Sequence, residues 1–337
     1  MTPLTHDAAR MRRANGLAFA LVSACSFGLS GSLARGLLDA GWTAGAATLV
    51  RVAIAAAVLA IPALIALRGR WSLMRRAAAT VVAYGVFAVA GAQLFYFLAV
   101  GTLDVGVALL IEYMAPVVVV GWLWVSQGSR PGILTLAGAA VAVGGLALLL
   151  DVFGGSVHID PVGVGWALLA MVGASVYFVI SGDTSTGLPP VTLAWGGLVV
   201  ALGVLSLAGL GGILPLSFTA ETVELLPFAL PWWGAALLLG AVTAALAYVT
   251  GIAATRRLGA RLGGFVALIE VIAATGFAWV LLGQVPGPIQ FAGAGLILVG
   301  VLLLRAGEPA AEATPAPIEL PEIAEPQPEP EPEPQLA

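Results

Sequence analysis

The chain has 337 residues, of which 60% are hydrophobic and 9% charged, with a mean hydropathy of +1.03. A soluble domain carries roughly 25% charged residues, so no soluble fold of this length hides the apolar excess, and lipid must cover it. The formal charge of −4 is uneven: eight of the 18 acidic residues lie in the last thirty positions, while all 14 basic residues are Arg and precede them.

These counts exclude several classes of function. No basic block interleaved with aromatics points to nucleic acid. The single Cys25 excludes an internal disulfide, and His6 and His158 lie outside the apolar runs, so no metal site or cofactor is expected. Nothing resembles a phosphate-binding loop, and no nucleophile–base pair lies within an apolar run, so no enzymatic activity is expected. Val22-Ser23-Ala24-Cys25 has the form of a lipobox, but the apolar run continues past Cys25 as an uncleaved span does.

A helix crossing the hydrocarbon core needs about 20 mostly apolar residues. That window predicts ten spans, over 15–37, 43–66, 78–100, 104–125, 131–150, 160–181, 190–211, 231–255, 262–283 and 287–305. The breaks carry turn residues or charge, as at Arg68 to Arg76, Gly128 to Pro131, Gly154 to Pro161, Pro189-Pro190 and Pro286 to Pro288. Twelve of the 14 Arg fall on one side of such a ten-span arrangement. Positive loops stay cytoplasmic, which predicts that both termini are cytoplasmic. Trp42, Trp232 and Trp233 fall at helix ends on the opposite side and read as interfacial anchors. Gly28-x-x-x-Ser32 reads as close helix packing.

The two halves repeat. Ala108-Leu109-Leu110-Ile111-Glu112 is echoed by Ala267-Leu268-Ile269-Glu270, and Ala137-Gly138-Ala139 with Gly145 by Ala292-Gly293-Ala294 with Gly300. Five spans is an odd number, so a unit used twice stands upside down the second time. Inverted repeats are typical of secondary transporters, whose sites lie near the midplane between them. The expected division is a cytoplasmic segment over 1–14, repeats over 15–150 and 151–305, and a Pro- and Glu-rich cytoplasmic tail over 306–337. That tail holds nine of the 21 prolines and reads as a disordered, passive extension.

Ionisable side chains inside hydrocarbon are costly and mark functional sites. Three remain once the loops are set aside: Arg51, Glu112 and Glu270. At about 1.5 Å of rise per residue, Glu112 and Glu270 each lie about 12 Å inside, from opposite faces, and Arg51 lies near the depth of Glu112. A carboxylate there can bind a substrate ammonium or exchange a proton. The structural alternative is that Arg51 neutralises Glu112 as a buried pair, whereas Glu270 has no basic partner at its depth. Gln93, Tyr96, Tyr113, Tyr177, Tyr248 and Trp122 are further candidates for lining a cavity for a small metabolite, or for packing.

The run from Ala267-Leu268-Ile269-Glu270 through Leu281-Leu282-Gly283-Gln284 to Gly293 and Gly300 resembles the signature of the EamA-type drug/metabolite transporters. So does Gly106 to Pro116, with Glu112 and Pro116, which is similar to the fourth helix of amino-acid exporters in that group; Arg51 also matches a family position. The resemblance covers roughly residues 15–305. It implies an all-α, polytopic protein with ten transmembrane helices in two inverted five-helix EamA repeats, set in a bacterial inner membrane and exporting a small metabolite such as an amino acid. The implied partners are that small-molecule substrate and the lipid bilayer; a homodimer is left open. Val271 stands where the family often has Pro, and Gln284 and Ser126 stand where it has a carboxylate, so no role is carried over to those positions.

Overall fold

The computed structural model describes residues 3–100, 108, 111–128, 130–149, 160–226, 228–283 and 285–307. The tail over 308–337, His158 and Gln284 lie outside the described residues. Among those described, the protein is mostly helical.

Helix α1 (Pro3–Asp39) starts well before the expected first span, and α2 (Ala44–Leu67) follows after a tight turn. Thr43 caps α2, its hydroxyl accepting from the Ala46 amide. A short helix α3 (Trp71–Arg76) precedes α4, which runs over 78–100 as Ala78–Ala83, a π-helical stretch Tyr84–Gly91 and Ala92–Val100. Ile111 and Glu112 are helical, Tyr113 and Met114 form a turn, and α5 (Ala115–Gln127) begins behind it. Helices α6 (Ile133–Leu149), α7 (Pro161–Gly182) and α8 (Pro190–Leu210) come next. Helix α9 (Trp232–Leu258) again contains a π-helical stretch, Ala241–Leu246. Helices α10 (Ala260–Val266) and α11 (Ile269–Leu282) are separated by a turn at Ala267-Leu268, and α12 (Pro288–Gly307) ends the described chain.

Seven helical segments are long and apolar enough to cross a membrane, among them Ala44–Leu67, Pro161–Gly182 and Trp232–Leu258. Three shorter apolar helices, Ala115–Ser126, Ile133–Leu149 and Pro288–Leu304, complete the apolar set among the described residues. Their outer faces carry large apolar side chains, such as Ile61, Ile133 and Leu302, which only lipid can cover.

The all-α expectation needs one correction. Strands β1 (Val223–Leu225) and β2 (Phe228–Leu230) form an antiparallel hairpin with Leu225 opposite Phe228. Three-residue strands give too short an alternation to be read in sequence. The hairpin is held by packing: Val223 lies against Gly36 of α1, and the Leu226 amide donates to the Leu281 carbonyl of α11 at 2.9 Å. The chain just before it is also pinned. Trp42 Nε1 donates to the Thr219 carbonyl at 2.8 Å, and Thr43 Oγ1 donates to the Pro215 carbonyl at 2.8 Å. Trp42 is 4% exposed and rings with Phe218 and Trp232, so it is a core residue of this end rather than a membrane anchor.

Helices α6 and α12 cross antiparallel with backbones nearly touching. A Cβ added at Gly138 would lie 2.8 Å from the Gly300 carbonyl, and one at Gly145 would lie 2.7 Å from the Gly293 carbonyl. In lipid, where apolar burial between helices contributes little, such close approach supplies the attraction through dispersion. The Gly pairs seen as a sequence repeat are therefore in contact with one another.

Candidate functional site

The helix interruptions and the charged residues coincide. In the first half, the turn at Tyr113-Met114 is tightened by bonds from the Met114 amide to the Ile111 carbonyl and from the Val117 amide to the Met114 carbonyl. In the second, the Leu268, Glu270 and Val271 amides donate three residues back rather than four. Glu112 is the last helical residue before one turn, and Glu270 is the second after the other. Both carboxylates thus sit at breaks, which a window measuring only hydropathy passes over. Broken helices at membrane depth are tolerated where they line a cavity.

Such a cavity lies at the centre of the protein, with a volume of about 320 Å³. Its wall includes Arg51, Gln93, Tyr96, Glu112, Tyr113, Tyr177, Tyr248 and Glu270, so the eight residues singled out by charge and polarity face one space. Trp122 does not; it is 57% exposed on the outer surface. The wall also includes Ser23, Phe27 and Phe178, which sequence reasoning missed. Nothing distinguishes Phe27 or Phe178 in sequence from the apolar residues beside them.

The polar groups form a short network. Arg51 Nη2 donates to the Thr243 carbonyl at 2.7 Å, and Arg51 Nη1 reaches Gln93 Oε1 at 3.4 Å. Gln93 Nε2 in turn donates to the Tyr248 hydroxyl at 3.2 Å. Thr243 lies in the π-helical stretch of α9, where the regular ladder is interrupted, so a guanidinium from α2 answers a carbonyl that the other half presents. Arg51 Nε is buried with no hydrogen-bond partner. Phe27 packs edge-on to Tyr248 with ring centroids 5.1 Å apart, and the Arg51 guanidinium lies 5.9 Å from the Phe27 ring.

The pairing of Arg51 with Glu112 is not found: the Arg51 guanidinium bonds to the Thr243 carbonyl and Gln93 and forms no ion pair with Glu112. Glu270 is within hydrogen-bonding reach of the Tyr113 hydroxyl. Rise along a helix gives the depth of Arg51, near that of Glu112, but not its azimuth, and azimuth decides the partner. Gly28 permits the geometry on the remaining side, because a Cβ there would lie 2.9 Å from the Glu270 carbonyl.

A bundle of lipid-facing helices around a charged central cavity is the form of a multi-pass membrane protein. A model of the EamA-like transporter family matches residues 14–151 and again 161–306, so both halves carry the unit. The chain belongs to the EamA-like transporter family, whose members are membrane transporters. A solved crystal structure of a protein 22% identical in sequence superposes with a TM-score of 0.69, covering 85% of this chain and 96% of the other, and so shares the fold. No curated protein matches the chain.

Proposed function

We propose that the protein is a secondary transporter that exports a small amphoteric metabolite, such as an amino acid, across a bacterial inner membrane. The observation that carries this reading is the cavity, which holds one guanidinium and two carboxylates within about 320 Å³. Glu112 and Glu270 line the same cavity, where a carboxylate can take a substrate ammonium. The Arg51 guanidinium on the cavity wall supplies the cation for a substrate carboxylate. Gln93 and the tyrosines Tyr96, Tyr113, Tyr177 and Tyr248 supply apolar surface with hydroxyl and amide ends, the usual composition of a metabolite pocket. The substrate and the surrounding lipid are the partners in this reading.

The arrangement we favour has ten membrane helices in two inverted repeats of five, over 15–150 and 151–305, with the segment 1–14 and the tail 306–337 cytoplasmic. Three correspondences support it. The third apolar helix of each half has a π-helical stretch, the fourth is broken beside a glutamate, and the fifth helices cross through paired glycines. Reporter fusions at Gly154 and Gly212 are expected to read as external, and fusions after Arg76 and Arg305 as cytoplasmic. A cytoplasmic reading at Gly154 would overturn the five-plus-five arrangement.

The function itself is tested by counterflow in proteoliposomes preloaded with single unlabelled amino acids. Accumulation of the labelled amino acid against its gradient is expected for at least one of them. Equilibration without overshoot, together with single-channel currents, would assign a passive pore instead.

A further inference from the structure

At the end of the protein opposite the hairpin, the chain between α2 and α4 carries a concentration of charge that the cavity does not use. Arg68, Arg70, Arg75 and Arg76 are all exposed, and no side-chain hydrogen bond or ion pair engages any of them among the described residues. No acidic residue occurs between Arg51 and Asp104, so the segment has no counter-charge of its own. The local fold holds this cluster in one place. Arg68 adopts a left-handed conformation at φ 48°, the one non-glycine to do so among the described residues, and closes α2 by donating its amide to the Leu64 and Ile65 carbonyls. Gly69, at φ 74°, then turns the chain into α3. Leu73 and Met74 pack inward against the core, which leaves Trp71 and Arg75, one helical turn apart, on the outer side.

A second feature runs into the same patch. Ile61 and Ile65 of α2, 70% and 66% exposed, form an apolar ridge on successive turns that ends at Arg68. Cations at the end of an apolar ridge, with an exposed indole between them, match one ligand in shape and charge: a lipid whose acyl chain lies along the ridge and whose phosphate meets the guanidinium groups. Guanidinium forks bind phosphate oxygens in pairs, indole rings settle at headgroup level, and clusters of four or more Arg beside a membrane helix attract anionic headgroups.

We propose that Arg68, Arg70, Arg75 and Arg76, with Trp71 and the Ile61–Ile65 ridge, form a binding site for an anionic phospholipid. The site is separate from the cavity, and the proposal does not depend on what the cavity carries.

The test uses the full chain in nanodiscs of phosphatidylcholine with one third phosphatidylglycerol, released into detergent, with the retained lipid identified by native mass spectrometry. The unmodified chain is expected to retain phosphatidylglycerol over phosphatidylcholine by at least about tenfold, and raised salt should erase the preference. Replacing all four Arg by Gln should abolish it, while replacing all four by Lys should keep most of it. The pairs Arg68→Gln with Arg70→Gln, and Arg75→Gln with Arg76→Gln, should each weaken it, which covers a quadruple variant that fails to fold. No preference in the unmodified chain, or an undiminished one in both folded pairs, would overturn the proposal. Displacement of the lipid by millimolar soluble glycerol phosphate would also overturn it, since the acyl ridge would then contribute nothing.

Discussion

Glu270→Gln is expected to reach the membrane in normal amount and to transport at a small fraction of the unmodified rate. The substitution keeps size and hydrogen-bonding capacity, so the turn at Ala267-Leu268 and the contact with Tyr113 persist. What goes is the carboxylate on the cavity wall that would hold a substrate cation or exchange a proton. A hydrogen bond to a charged group contributes about 1.5–3 kcal/mol, so substrate engagement should weaken by roughly tenfold to a hundredfold, and the dependence of transport on pH should flatten. Glu112→Gln is the informative contrast. Because Arg51 is held by Gln93 and the Thr243 carbonyl, losing Glu112 strands no buried charge, and folded protein should be unchanged. A loss of folded protein rescued by adding Arg51→Met would restore the pairing that the structure does not show. Normal transport in both single variants would remove the two carboxylates from the site.

Gly293→Leu is expected to leave little folded protein. A side chain there meets the Gly145 carbonyl and the Leu149 backbone, neither of which can yield as a flexible side chain does. Overpacking a core with room to adjust costs about 1–3 kcal/mol; at a contact between two backbones the helices must separate instead. Gly295→Leu is the control, because nothing lies within 4 Å of a Cβ at that position. Both variants would be compared by yield from membranes and melting temperature in detergent. Equal behaviour would mean that the α6–α12 crossing is not set by its glycines.

Much of this protein was legible in its sequence because hydrocarbon enforces a simple rule. Backbone groups must pair within the segment, so apolar length reads as helix. The buried charges were legible for the same reason, since a carboxylate at membrane depth is too costly to be incidental. The rest was hidden in quantities that a one-dimensional profile does not contain. The breaks at Tyr113-Met114 and Ala267-Leu268 change which amide meets which carbonyl without changing hydropathy. The π-helical stretches in α4 and α9 are built from residues common in any apolar helix, with Ala and Val in both. Trp42 was misplaced because a tryptophan at a helix end reads the same whether it meets lipid or a folded loop; the segment through Phe218 and Thr219 decides for the loop. Arg51 was located by depth, and its partners depend on the side of α2 from which it projects.

The hairpin end has a mechanical consequence. Thr43 and Trp42 fasten the α1–α2 turn to the strand-bearing loop, and Leu226 fastens that loop to the end of α11. Three helix ends are thereby joined into a stiff collar, with bonds from backbone to backbone and from side chain to backbone. Across the cavity, α4 packs along α7: Ala99 and Ala167 are buried there, Phe95 stacks on Trp166 at 5.6 Å, and Gly173 lies close against Phe87 and Ala92. Any rearrangement of the bundle must carry the three helix ends of the collar as one unit.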